Sequence, residues 1–235
     1  MPYNWDYLDK KAYNNKVGNY KFRREFKFIV ENGNNHFEKI LDIAGGSGRF
    51  AIPLSQYSNN INVLDINQDA LQLIKERNNS IKTIHSDFLD ADINDSFSLI
   101  ICIEALGSFQ EWELFFNQVN NILSNDGRLI FTYTNPSSWR FYLRKIKHWR
   151  NGYHPYKEME LNEFKSLLSK CNFEIGNMEG MNWIPLPLAS NSIFVSVFEK
   201  IEQFFRLRKW YSQSPWILFS LKKRINTDKY TDKHR

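Results

Sequence analysis

The chain has 235 residues, 42% of them hydrophobic and 24% charged, which suffices for one sizeable α/β domain with a lid or cap and is too little for two independent domains. Its two cysteines, Cys102 and Cys171, lack metal-ligand spacing and exclude a disulfide framework; they read as reduced thiols in or near the core of a cytosolic protein. The net charge of +5 leaves an anionic partner open without requiring one.

From the N-terminus, residues 3–32 are polar and aromatic and are expected to be helical, without the basic and apolar stretches of a signal peptide, and Asn-Gly-Asn-Asn at 32–35 breaks the segment. Residues 40–48, Ile-Leu-Asp-Ile-Ala-Gly-Gly-Ser-Gly, read as a short apolar strand running into a glycine-rich turn, with a helix expected over 49–57. Further strands are expected at 61–66, 81–86 and 97–103, with a helix at 68–77. Apolar residues at 112, 115, 116, 119, 122 and 123 have helical spacing, and Asn125-Asp126-Gly127 ends that helix before a fifth strand at 128–134. Such alternation predicts a doubly wound, Rossmann-like α/β fold with a mostly parallel sheet.

Beyond the fifth strand, residues 136–160 form an insertion: a basic, aromatic helix at 139–150 and a loop containing His154. An insertion leaving the carboxyl end of a strand borders the ligand crevice of an α/β sheet, so substrate specificity is expected there. A helix at 161–170 and residues 173–175 return the chain to the sheet. Apolar positions 194, 197, 198, 201, 204 and 205 predict an amphipathic helix within 191–210 that covers the sheet. A last strand is expected at 214–221; residues 1–225 would form one domain, and 226–235 a flexible tail. No apolar run has the length of a membrane span, the nearest, 183–198, being interrupted by two prolines, Asn191 and serines.

Glycines at the first turn let main-chain N–H groups approach a ligand, and Asp42, just ahead of them, would repel a pyrophosphate but suit a cofactor carrying positive charge. Asp65 ends the second strand about twenty residues past the turn, where an acid grips ribose hydroxyls. Asp87-Phe88 reaches the same edge from the third. Each residue has a plainer use: the turn in close packing, Asp65 as N-cap of the helix at 68, Asp87 in a turn. Three strand ends in the expected order favour a ligand site.

On these residues the chain resembles the class I S-adenosylmethionine-dependent methyltransferases, well over residues 37–135 and loosely elsewhere. The resemblance implies that Ala44, Gly45, Gly46 and Gly48 pack against the methionine part of the cofactor, with Asp42 holding its ammonium through ordered groups. It implies that Asp65 accepts from the ribose diol, Ile66 lies on adenine, Asp87 accepts from its amino group, and Phe88 offers a backbone N–H and ring contact. Ile103 matches the position whose main chain passes the sulfonium, and residues 1–36 match an N-terminal helical lid, in which Tyr13, Tyr20 and Arg23 are candidates to close over the cofactor's carboxylate. It also implies that the last strand is antiparallel. Two departures stand out: the first loop glycine is Ala44 here, and the acid often found early in strand four is Ser98.

The function so implied is methyl transfer to a small-molecule acceptor, an oxygen being preferred over nitrogen or carbon. A hydroxyl acceptor needs its proton removed, and His148, His154, Glu104 and Ser108 are the candidate bases. No metal cluster is expected. The basic segments at 140–150, 206–209 and 222–224 read first as a solvated face, then as a seat for an anionic or lipid-linked acceptor or a membrane surface, and last as an RNA contact; no nucleic acid is expected. Two rival readings are an NAD-dependent oxidoreductase or sugar-nucleotide enzyme, because 46–51 fits Gly-x-Gly-x-x-Ala, and a non-catalytic binding subunit that keeps the fold.

Overall fold

The computed structural model describes Asp6 and residues 13–33, 37–148, 158–187 and 189–224. β1 (Ile40–Ile43) and β4 (Phe97–Cys102) are buried at every position, which is why both are continuous apolar runs apart from Asp42 and Ser98. β2 (Ile61–Asp65), β3 (Lys82–His85) and β5 (Leu123–Thr134) pair with them in parallel. β6 (Phe173–Met181) and β7 (Trp216–Lys223) complete a seven-stranded sheet of order β3-β2-β1-β4-β5-β7-β6. β7 is antiparallel to both of its neighbours, so it alone runs against the sheet. The register there is pinned by Phe131 and Phe219, directly opposed across β5 and β7 with rings stacked at 5.2 Å.

Successive strand residues face opposite sides, and the two apolar layers follow from that period. Ile40, Val63, Leu99 and Ile101 pack against Phe28 and Ile29 of α1 (Lys16–Gly33), Leu54 of α2 (Ala51–Leu54) and Leu71 and Ile74 of α3 (Gln68–Arg77). Leu41, Ile100, Phe131 and Phe219 pack against Phe115 and Phe116 of α4 (Trp112–Ile122) and Phe164 and Leu168 of α6 (Leu161–Lys170). The strand order reverses between β1 and β4, which opens a crevice beyond their carboxyl ends.

Several elements differ from the sequence expectation. The helix after the glycine turn is one turn long, because the chain stays in turns through Phe50 and Pro53 admits little more. β5 starts at Leu123, since Phe97 pairs with Leu123 and then skips to the Leu99–Arg128 pair, absorbing Asn125-Asp126-Gly127 as a bulge. β6 was legible only at 173–175; Gly176 and Asn177 sit at a register shift that interrupts its alternation. Within the expected lid, α1 covers the sheet, with Phe28 and Ile29 in the core, and among the described residues of 1–36 Tyr13, just ahead of the helix, lines the crevice.

The largest departure is α7 (Phe194–Phe204), which does not cover the sheet with its apolar face. Phe194, Val197, Ile201 and Phe204 are exposed, and the buried positions are Val195 and Glu202. The helix packs on α1 through Val195 and Phe198 against Val17 and Tyr20, and the Tyr20 hydroxyl donates to Glu202.

Candidate active site

The turn after β1 uses the left-handed angles its glycines predict: Gly46 has φ 54° and Gly48 φ 83°. Ala44 also sits at φ 55°, costing about 1 kcal/mol that a glycine would not. At Gly45 a Cβ would lie 2.6 Å from Asp42 Cγ and 2.8 Å from Val63 Cγ1, so the turn is pressed against the carboxylate that precedes it. The result is a cavity of about 400 Å³ over the ends of β1, β2, β3 and β4.

Its polar floor consists of carboxylates. Asp42 is buried; one of its oxygens has no hydrogen-bond partner, and its carboxyl is pushed up to about 8, by burial first and by the Asp65 charge second. Asp65 accepts from the Gly46 N–H on one oxygen and from the Asn67 N–H on the other, both at 2.8 Å, which orients the carboxylate and leaves lone pairs toward the cavity. The cap of α3 is Asn67, whose side chain accepts from the Ala70 N–H at 2.7 Å, so Asp65 is not spent on that role. Asp87 lines the cavity while also accepting from the Leu89 N–H at 2.9 Å, the turn contact expected of it. Between them Ile66 lines the cavity and leaves 70% of its surface uncovered, and His85 holds its carbonyl at 3.0 Å.

The far wall was not foreseen. Arg49, the residue after the last loop glycine, is buried between Glu25 at 3.1 Å and Glu104 at 2.8 Å, and Lys21 reaches Glu104 at 2.8 Å. Tyr13 lies over the Arg49 guanidinium, 4.7 Å from ring centroid to Cζ. Burial alone would raise Glu104, but Lys21 and Arg49 outweigh it and hold its carboxyl well below the usual range. Burial and then the Glu104 charge push Glu25 up instead. The signal in the sequence was Arg49 directly after a ligand loop, with no acid beside it; its partners come from α1 and from the end of β4, far away in the chain.

Of the expected cofactor residues, Tyr13, Asp42, Ala44, Gly45, Gly46, Asp65, Ile66, Asp87, Phe88 and Ile103 surround this one cavity. The others are placed differently. Gly48 does not line it and serves the turn, its N–H donating to the Gly45 carbonyl at 3.0 Å. Arg23 points away and pairs with Glu199 at 3.0 Å, its side chain 57% exposed; Tyr20 is likewise spent on Glu202. The Phe88 ring is buried on Phe115 and Phe109. Among the candidate bases, Ser108 and Glu104 both line the cavity, Glu104 as the ion-pair partner of Lys21 and Arg49. His148 is the last residue of α5 (Trp139–His148), and His154 lies outside the described residues. No group of three or more potential metal ligands occurs among the described residues.

A family model described as a methyltransferase domain matches residues 13–176, well over half of the chain. The chain belongs to the methyltransferase-domain family. This methyltransferase is 26% identical over 173 residues to a ubiquinone biosynthesis O-methyltransferase of Rickettsia akari, covering 67% of the chain and 68% of that relative. In fold it matches an S-adenosylmethionine-dependent methyltransferase of Clostridium acetobutylicum with a TM-score of 0.60 at 16% identity, covering 86% of this chain and 92% of that one. It also matches the magnesium protoporphyrin IX methyltransferase of Synechocystis, whose structure holds S-adenosylhomocysteine, with a TM-score of 0.64 at 11% identity over 95% and 90% of the two chains.

The methyltransferase is of the class I, S-adenosylmethionine-dependent type. The cavity fits that cofactor, since a buried, unpartnered carboxylate oxygen on Asp42 calls for a cation or a proton, and the oriented Asp65 calls for donors such as hydroxyls. When bound, the cofactor supplies a sulfonium-activated methyl group. No helix among the described residues is long and apolar enough to cross a membrane.

Proposed function

We propose that this chain transfers a methyl group to an oxygen of an apolar, anionic or lipid-linked small molecule. The observation that carries the reading is the meeting of Asp42, Asp65, Asp87 and Ile103, from four strand ends, around one cavity. In it Asp65 accepts from the ribose diol, Asp87 from the adenine amino group, and the uncovered face of Ile66 takes the ring. Asp42 neutralises the ammonium. With Glu25 pushed toward its neutral form, the cluster of Lys21, Arg49 and Glu104 keeps one surplus positive charge beside the cavity, which suits the methionine carboxylate.

In-line displacement asks mainly for alignment and exclusion of water. Ala105, Ser108 and Phe109, just beyond β4, form the acceptor side. Ser108 orients the acceptor hydroxyl, and its proton leaves to His148 or His154 of the insertion, because Glu104 is clamped. The preference for oxygen is supported by the Rickettsia relative, which is named for O-methylation in ubiquinone biosynthesis.

The test is transfer of label from S-adenosylmethionine to a panel of phenols, with and without apolar tails, against amines of matched shape. Label on phenols that falls at least about tenfold in His148→Ala or His154→Ala is expected. Preferential labelling of amines would overturn the oxygen assignment.

A further inference from the structure

We propose that α7 and the turn after it form an interfacial helix that docks the protein on an anionic lipid bilayer. At ~100° per residue, Ile193, Phe194, Val197, Ile201, Phe204 and Phe205 fall within an arc of about 120°, a single apolar stripe. In a helix that merely covers a sheet such a stripe faces inward. Here it faces out: Ile193 is 71% exposed, Phe194 56% and Phe204 81%, while Glu202 on the opposite side is 4% exposed. Trp210 adds an exposed indole where the following turn ends. Apolar side chains of this size concentrated in one short segment mark a contact surface rather than scattered surface residues.

The charge around the stripe selects the occupant. Both acids of the helix are turned away from it and engaged: Glu199 pairs with Arg23 at 3.0 Å, and Glu202 accepts from Tyr20 and lies 3.7 Å from Arg24. The cations are not. Lys200, Arg206 and Lys209 are exposed and have no carboxylate within ion-pair distance among the described residues, and Arg208 touches Glu179 only at 4.0 Å. Aromatic and aliphatic side chains rimmed by uncompensated Lys and Arg fit the acyl and headgroup layers of an anionic bilayer, and a second copy of the same face would set like charges against each other. α1 ties the surface to the cavity, because Tyr20 holds Glu202 of α7 and the next residue, Lys21, holds Glu104 on the cavity wall.

The experiment is cosedimentation of the full chain with vesicles of phosphatidylcholine alone and of phosphatidylcholine mixed equally with phosphatidylglycerol. The wild type is expected to pellet with the mixed vesicles and far less with the neutral ones. Phe194→Ser, Ile201→Ser and Phe204→Ser combined should lower partitioning at least about tenfold. Arg206→Glu with Lys209→Glu should remove the preference for the anionic vesicles. Both variants should keep their affinity for S-adenosylhomocysteine, which shows them folded and separates this test from the methyl-transfer reading. A wild type that stays in the supernatant with the mixed vesicles overturns the proposal. So does a triple variant that still pellets, or a self-association in sedimentation velocity that the triple variant abolishes without any vesicle binding.

Discussion

Asp42 couples cofactor binding to pH. Its carboxyl is pushed up from 3.8 to about 8 by burial and by Asp65, and one oxygen lies buried without a partner. The free protein therefore holds a proton there at neutral pH, whereas an ammonium beside it requires the ionised form. Binding must release that proton, so apparent affinity for S-adenosylhomocysteine rises about tenfold per pH unit below about pH 7 and levels off above pH 8. Isothermal titration calorimetry at pH 6, 7 and 8, in two buffers of different ionisation enthalpy, reads both the slope and the proton, about one per cofactor at pH 7. Asp42→Asn keeps the shape and removes the titration; it should bind more weakly at pH 8 and lose most of the slope. Glu25 is also pushed up, so any slope left in that variant belongs to the Lys21–Glu104–Arg49–Glu25 cluster. The same shift sets the sign for stability. The folded state binds the proton more tightly than the unfolded chain, so Asp42 lowers stability as pH rises from about 4 to about 8, and Asp42→Asn removes that part of the decline. A wild-type affinity flat from pH 6 to 8, or an equal slope in Asp42→Asn, would refute the reasoning.

Asp65→Ala removes the acceptor of the Gly46 and Asn67 N–H groups as well as the ribose contact; affinity should fall at least about a hundredfold while α3, capped by Asn67, persists, as calorimetry and circular dichroism would show. Ala44→Gly relieves the left-handed alanine and should raise stability by about 0.5–1 kcal/mol in denaturant titrations, with tighter rather than weaker cofactor binding; a loss of stability contradicts the assigned angle. Arg49→Met leaves the buried Glu104 charge with one cation instead of two, and should cost about 3–5 kcal/mol in urea titrations, against less than about 1 kcal/mol for Arg23→Met on the exposed Glu199 pair.

The cofactor side of the site was legible because it is local: each acid stands at or beside the end of a strand, and parallel pairing brings the ends of adjacent strands to one edge. Asp65 shows the limit of that legibility. A sequence places an acid three residues before a helix and leaves both cap and ligand site open, and in the fold the cap is Asn67, which takes the Ala70 N–H. The wall opposite was illegible for the converse reason. Nothing in the chain joins Arg49 and Glu104 to Glu25 and Lys21, and only the packing of α1 beside the end of β4 makes them one network.

By itself the chain determined which segments are strands, that the sheet is mostly parallel, and that a glycine turn flanked by carboxylates invites a cationic ligand, because periodicity and turn chemistry are properties of neighbours in sequence. Which way α7 faces, which cations pair with Glu104, and whether Arg23 or Arg49 stands at the cavity were decided only in three dimensions. A helix with an apolar stripe and two acids off it has more than one rotation open to it, and the one that leaves the stripe outside packs Val195 and Phe198 on Val17 and Tyr20 of α1, 182 residues before Glu202, which accepts from the Tyr20 hydroxyl.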